Sequence, residues 1–119
     1  MTMYNVAVLC NPDKLEVLKA AYNEIGITGM TVTRAEGCGT QKGMHGFYRG
    51  SEVDVSLLPK IKVEVVVSEI PWEKVVDTAK SVLKSEKIGS GKIFVYEVAH
   101  VIRVRTDEMD EDALKATPE

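Results

Sequence analysis

Cysteine is scarce in this chain of 119 residues: there are two, Cys10 and Cys38. They lack CxxC spacing and no histidine pair lies near either, which argues against a disulfide framework or a zinc site and fits a reducing cytoplasm. Long apolar runs are also missing. No stretch approaches the roughly 20 apolar residues of a membrane span. Residues 1–10 have neither the basic start nor the long apolar run of a signal peptide, so no membrane insertion is expected. Aromatic residues make up only 6%. An RNA-binding module of this size would want stacking aromatics on its central strands, and here the first strand offers only Tyr4, at its start. Catalytic groupings are missing too. His45 lies in a glycine-rich segment and His100 in a strand connection, neither beside a Ser or Cys at a telling position. No nucleophile or base is placed for catalysis, and the chain is expected not to be an enzyme.

The net charge of −3 hides an asymmetry. Residues 107–119 hold six acids and one lysine, a net of −5, which leaves +2 on residues 1–106. A body so weakly basic is no nucleic-acid binder. The length suits one domain, residues 1–106, followed by an acidic tail over 107–119 that is expected to be flexible.

"YNVAVLC" reads as a buried strand, stopped by Asn11-Pro12. A helix should follow, with Asp13 and Glu16 at capping-box spacing and Leu15, Leu18, Tyr22 and Ile25 in one apolar stripe that ends at Gly26. "GMTVTRAEG" and "IKVEVVV" read as the second and third strands. A second helix starts near Pro71 with the stripe Val75, Ala79, Val82 and Leu83. "KIFVYEV" is a fourth strand and "VIRVR" a short fifth. The order predicts an α+β, ferredoxin-like βαββαβ fold with an extra C-terminal strand, two helices covering one sheet face. The other face has nothing in the chain to cover it and is apolar enough to pack against another subunit.

Between the second and third strands lie about twenty residues, 37–56, which hold five of the nine glycines. Loops this long are functional or disordered. Phe47 and Tyr48, with Lys42 and Arg49 beside them, read as a working arm.

"GSGK" at 89–92 is not a Walker loop, because Glu86 and Ile93 stand where glycine and Ser/Thr are required. It is either a turn into a strand or an anion cradle of backbone N–H groups with Lys92 beside it. Arg103 and Arg105, two apart on a predicted strand, share a face; they are either solvated or bridged by an anion. "GCGTQKG" at 37–43 misses the dinucleotide fingerprint because Lys42 replaces the third glycine. Glu64 sits in an apolar strand and needs a partner: Lys62 on the same face, a base from another subunit, or a ligand's donor.

Taken together, "GITGMTVT" (26–33), "GCGTQKG" (37–43), "YRG.E" (48–52), "LPKIKVEVVV" (58–67) and "KIGSGKIFVYEV..VIRVRT" (87–106) resemble the PII signal-transduction proteins, in order, without gaps, over nearly the whole chain before the tail. The resemblance implies a cytoplasmic homotrimer that binds ATP or ADP in the clefts between subunits. It implies a long T-loop that docks on a target such as an ammonium transporter, at the membrane periphery, or a metabolic enzyme. By the same resemblance Gly37, Gly39, Thr40, Gln41, Gly89, Ser90, Gly91 and Lys92 would wrap the phosphates. Arg103 and Arg105 would reach them from a neighbouring subunit, and Thr31, Glu64 and Val66 would border the adenine. Gln41 would meet magnesium accompanying ATP. Gln41, Lys42 and Lys60 would hold 2-oxoglutarate, and Phe47, Tyr48 and Arg49 would meet the partner.

The departures from the family pattern are specific. Val53 falls where the family carries its uridylylated tyrosine. Ser51 matches a serine phosphorylated in one branch and is equally an ordinary loop serine. Asn11 and Thr40 stand where the family usually has basic residues, so the pocket loses positive charge. Two readings follow from the resemblance: a reporter of cellular energy and of nitrogen or carbon state or, favoured by that loss of charge, an energy-only sensor of ATP against ADP without a 2-oxoglutarate response.

Overall fold

The computed structural model describes residues 2–38, 45–48, 51–54, 57–85 and 90–115, with 45–48 and 51–54 described as backbone only. In order, these form β1 (Met3–Cys10), a 3-10 turn (Pro12–Lys14), α1 (Leu15–Glu24), β2 (Thr31–Gly37), β3 (His45–Tyr48), β4 (Ser51–Asp54), β5 (Leu58–Val67), α2 (Trp72–Leu83), β6 (Lys92–Val98) and the short α3 (Glu111–Leu114). Four strands form one antiparallel sheet in the order β2-β5-β1-β6, while β3 and β4 pair only with each other. This is the expected βαββαβ arrangement, with the β3–β4 ribbon inserted between β2 and β5. No helix among the described residues is long and apolar enough to cross a membrane.

The alternation read from sequence sets the two sheet faces. Val6, Val8 and Cys10 of β1 and Ile61, Val63, Val65 and Val67 of β5 point to one side. There they pack against Leu18 and Tyr22 of α1 and Val75, Ala79 and Leu83 of α2. Each fully buried Val or Leu side chain contributes about 1.5–3 kcal/mol. On the opposite face the side chains at Phe94 and Tyr96 of β6 stack on each other, centroids 6.4 Å apart, and stay 42% and 50% exposed.

Three local expectations are corrected. Asp13 does not cap α1: the chain enters through the 3-10 turn, and neither Asn11 nor Lys14 makes a side-chain cap bond. The Asn11 amide oxygen instead accepts a hydrogen bond from Lys60 Nζ at 2.7 Å. At the other end, Gly26 has φ 92°, and the bonds Gly26 N–H to Asn23 O and Ile27 N–H to Tyr22 O close a Schellman motif. Second, "VIRVR" is not a strand. It makes one bridge, Ile102 to Met109, and then a turn in which the Arg103 carbonyl accepts from Thr106 and Asp107 and the Arg103 N–H donates to Glu108 O. A strand needs a partner edge, and this segment pairs with no edge of its own sheet; Val104 is left 92% exposed. Third, the C-terminal segment adds a short helix that was not expected: residues 107–115 turn back, form α3 and return to Arg103.

Tyr22 is fully buried, and its hydroxyl has no hydrogen-bond partner among the described residues. Burial, with a smaller contribution from Cys10, pushes its pKa far above the usual value of 10.0. Burial also raises the Cys10 thiol, against the opposing pull of Lys60. Because the folded pKa of Tyr22 is raised, the stability it contributes as a neutral group is complete below about pH 10 and falls as pH climbs above it. Denaturant titrations should show Tyr22→Phe equal to the parent, or up to about 1 kcal/mol more stable, at pH 7, since it removes an unsatisfied hydroxyl. The substitution should also remove part of the loss above pH 10. Destabilisation by more than about 2 kcal/mol at pH 7 would mean the hydroxyl is satisfied after all.

Candidate functional site

At one end of the sheet lies a cleft of ≈ 930 Å³. Its walls are Asn5 of β1, the 26–30 loop, Thr31 of β2, Glu64 and Val66 of β5 and, from the C-terminal segment, Arg103 and residues 113–115. Thr31 and Glu64 face each other in the β2–β5 register. Four of the residues expected at a nucleotide site, Thr31, Glu64, Val66 and Arg103, therefore line one cavity.

Glu64 is compensated from two sides. Lys62 Nζ stands 3.8 Å from Oε1, the same-face pairing anticipated from sequence, and Asn5 Nδ2 donates to Oε2 at 2.8 Å. Asn5 pairs with Val66 and Ala7 with Glu64, so the Asn5–Glu64 contact is diagonal across the β1–β5 ladder. A carboxylate only accepts, which fixes the amide orientation: NH₂ toward Glu64, oxygen away. That oxygen, Asn5 Oδ1, is buried and has no partner among the described residues, and the same holds for Ser68 Oγ. Buried polar atoms left open in a cleft suit a ligand carrying N–H and O–H donors.

Arg103 is held within the chain. Its side chain is 19% exposed; Nη1 donates to Glu108 Oε1 at 2.6 Å, and Nη2 donates to the carbonyl of Ala113 at 3.0 Å and to that of Lys115. Glu108 also accepts from the Thr106 hydroxyl at 2.6 Å. These two hydrogen bonds, Thr106 first and then Arg103, hold its carboxyl below the usual range, and the charges of Arg103 and Arg105 act the same way. Asp110 fastens the returning chain, accepting from Val101 N–H at 3.1 Å with His100 Nδ1 at 3.3 Å. The expectation that Arg103 and Arg105 share a strand face is corrected. In the turn only Arg103 lines the cleft, and Arg105 does not.

The remaining described residues of the expected site lie outside this cleft. Gly37 closes β2, and a Cβ there would sit 3.1 Å from the Lys60 side chain. Lys92 opens β6 opposite Leu9. Gly91 has φ 140°, and a Cβ on it would come within 2.8 Å of the Leu9 carbonyl, so only glycine fits. Ser90 bonds back to the Ser85 carbonyl at 3.2 Å. Gly37 is six residues from Thr31 along β2, about 20 Å, whereas Lys92 shares a row with Leu9, Lys62 and Thr33, two residues from the row of Glu64. Gly39, Thr40, Gln41, Lys42, Arg49 and Gly89 lie outside the described residues. Phe47, Tyr48, Ser51 and Val53 fall on the β3–β4 ribbon, where the backbone pairs Tyr48 with Ser51 and Gly46 with Val53.

Sequence reasoning missed Asn5, Ser68 and Glu108. An amide in an otherwise apolar strand signalled Asn5. Nothing marked Ser68, and Glu108 is one acid among six in the tail.

The depressed pKa of Glu108 gives a pH dependence. Its contribution to holding residues 103–115 together is present above the ordinary glutamate range near 4.5 and is lost as pH falls through the lower folded value. An NMR titration should place the Glu108 midpoint below 4.5, with the Asp107 and Asp110 amides losing exchange protection in the same window. A midpoint at or above the ordinary value would remove the Thr106 and Arg103 bonds from solution.

Three comparisons bear on this geometry. Residues 3–108 match the family described as Nitrogen regulatory protein P-II. The chain is 46% identical over 112 residues to the nitrogen regulatory protein P-II of Klebsiella oxytoca, which spans 94% of this chain and all of that one. Among solved structures it is similar to B. subtilis GlnK (TM-score 0.81, 39% identity, 96% of this chain and 100% of that one). It is also similar to the B. subtilis GlnK–ATP complex (TM-score 0.80, 37% identity, 95% and 96%).

Proposed function

The chain belongs to the nitrogen regulatory protein P-II family, whose members transduce signals rather than catalyse reactions, and on that premise we propose that it is a cytoplasmic homotrimeric sensor of ATP and ADP. The observation that carries this reading is the cleft lined by Thr31, Glu64, Val66 and Arg103, where the buried Asn5 Oδ1 and Ser68 Oγ have no partner among the described residues. Lys92 opens β6 in the Thr33–Lys62–Leu9 row, two residues along from the row of Thr31 and Glu64. A neighbouring copy packed against the sheet completes the site. The exposed sheet face around Phe94 and Tyr96 supplies the apolar surface for that contact.

In the completed site the Thr31–Glu64 cleft takes the base and ribose, whose donors meet Asn5 Oδ1 and Ser68 Oγ. Gly91 and Lys92 take phosphate oxygens, with Gly37, Gly39, Thr40, Gln41, Gly89 and Ser90 around them. Arg103 and Arg105 come from the adjoining copy. Magnesium accompanying ATP would be met by Gln41. Each charge-assisted hydrogen bond contributes about 1.5–3 kcal/mol, so three or four reach the roughly 8 kcal/mol of a micromolar site. Residues 37–56, with the β3–β4 ribbon, form the output arm. Phe47, Tyr48 and Arg49 would meet a transporter, such as one for ammonium, or a metabolic enzyme. Val53 has no hydroxyl to uridylylate, and Ser51 remains a phosphorylatable position.

One contact favours an energy-only reading. Lys60, the cation expected to hold 2-oxoglutarate together with Gln41 and Lys42, points its ammonium at the neutral Asn11 amide, and Thr40 adds no charge.

Sedimentation should give a trimer at micromolar concentration, and calorimetry should show ATP and ADP binding. Lys92→Ala and Arg103→Ala should each weaken binding about tenfold or more. Adding 2-oxoglutarate to the Mg–ATP complex should give little further heat. A stable monomer, or full affinity in both folded variants, would end the nucleotide reading; a tight ATP-dependent 2-oxoglutarate isotherm would end the energy-only one. Deleting residues 43–52 should leave trimer and nucleotide affinity largely intact and abolish target binding. Retained nucleotide-dependent capture of the target would move the output surface elsewhere.

A further inference from the structure

We propose that residues 108–115 are an intramolecular latch that occupies Arg103 in place of phosphate, so that nucleotide binding and docking of the C-terminal segment exclude each other. The inference rests on the reading of Arg103 as a phosphate ligand. A guanidinium grips an anion most firmly edge-on. Two parallel N–H bonds make the grip, and the planar group offers two such edges: Nε with Nη2, and Nη1 with Nη2. Both edges need Nη2. Here Nη2 already donates to the carbonyls of Ala113 and Lys115, while Nη1 donates to Glu108. Of five donors, Nε–H and one Nη1 proton remain, and these diverge. A phosphate can be gripped at two points only after the carbonyls of residues 113 and 115 let go.

The location of the segment points the same way. Glu111, Ala113, Leu114 and Lys115 line the same cleft as Thr31 and Glu64, so the returning chain stands where the ligand must enter. Glu108 presents a carboxylate to Arg103 as a phosphate oxygen would, an anion paired with the same cation. The segment is held lightly: α3 buries no residue, and its attachments are polar contacts at Arg103, Val101 and His100. A device of this kind lowers apparent affinity by the fraction of chains in which Arg103 is free. It also couples ligand arrival to exposure of an acidic terminus.

Hydrogen exchange on the full-length chain tests this, read on the peptide covering residues 110–115. Saturating ATP or inorganic triphosphate should speed exchange there several-fold; adenosine, which has no phosphate, should not. Arg103→Ala should show the fast exchange without any ligand. Glu108→Gln should bind ATP about three- to tenfold tighter, because a charged competitor for Arg103 is gone, with adenosine affinity unchanged. Unchanged or slowed exchange in a chain that calorimetry shows to be saturated with ATP would overturn the latch and leave the nucleotide reading standing. Slow exchange in ligand-free Arg103→Ala would overturn it equally. Absence of ATP heat in both the parent and Glu108→Gln would overturn the nucleotide reading, and the latch with it.

Discussion

A four-stranded sheet has two faces, and the helices among the described residues cover only one of them. The rest of the molecule follows from that shortage. Valines and isoleucines on alternate positions of β1 and β5 bury themselves against α1 and α2. The opposite positions leave Phe94 and Tyr96 in water, and among the described residues no further strand pairs with the outer edge of β6. Uncovered aromatic area of this kind is costly in a small domain, and the cheapest cover is another copy of the same surface.

The charges of β5 have specific partners. Glu64 has Lys62 and Asn5, and Lys60 has Asn11. These are partly exposed pairs, so their worth lies less in stability than in fixing where polar atoms point. Asn5 illustrates this: by donating to Glu64 it commits its oxygen to the cleft. Exchanging a basic residue for Asn11 has a comparable local consequence, since Lys60 gains a neutral acceptor in place of a second cation.

The C-terminal segment is ordered by a different physics from the sheet. It contributes nothing to the core and turns at Asp107 and Asp110, both with left-handed φ near 60°. Aspartate is among the few residues besides glycine that adopt a positive φ, and Asp110 also ties its turn to the chain nine residues earlier by accepting from Val101 N–H. A segment fixed by hydrogen bonds to Arg103, Val101 and His100, with no fully buried residue in α3, is the part of the fold that opens most readily.

The sequence by itself determined the elements whose signal is periodic. The stripe Leu18–Tyr22 and the stripe Val75–Ala79–Leu83 recur every three to four residues, and the valines of β5 recur every two. Burial reads those periods directly, so both helices and all four sheet strands were legible. The glycines were legible where geometry demands them, at Gly26 and Gly91. What the sequence did not disclose is pairing across distance. An alternating "VIRVR" is a strand only if an edge meets it, and here the chain turns back through the Ile102–Met109 bridge instead. The β3–β4 ribbon was read as loop because its strands pair only with each other. The partners of Glu64 and Arg103 lie in segments brought alongside by folding, Asn5 across the ladder and Ala113 and Lys115 on the returning chain. A hydrogen bond depends on distance and angle between particular atoms, and residue order carries no record of either until the tertiary structure sets them.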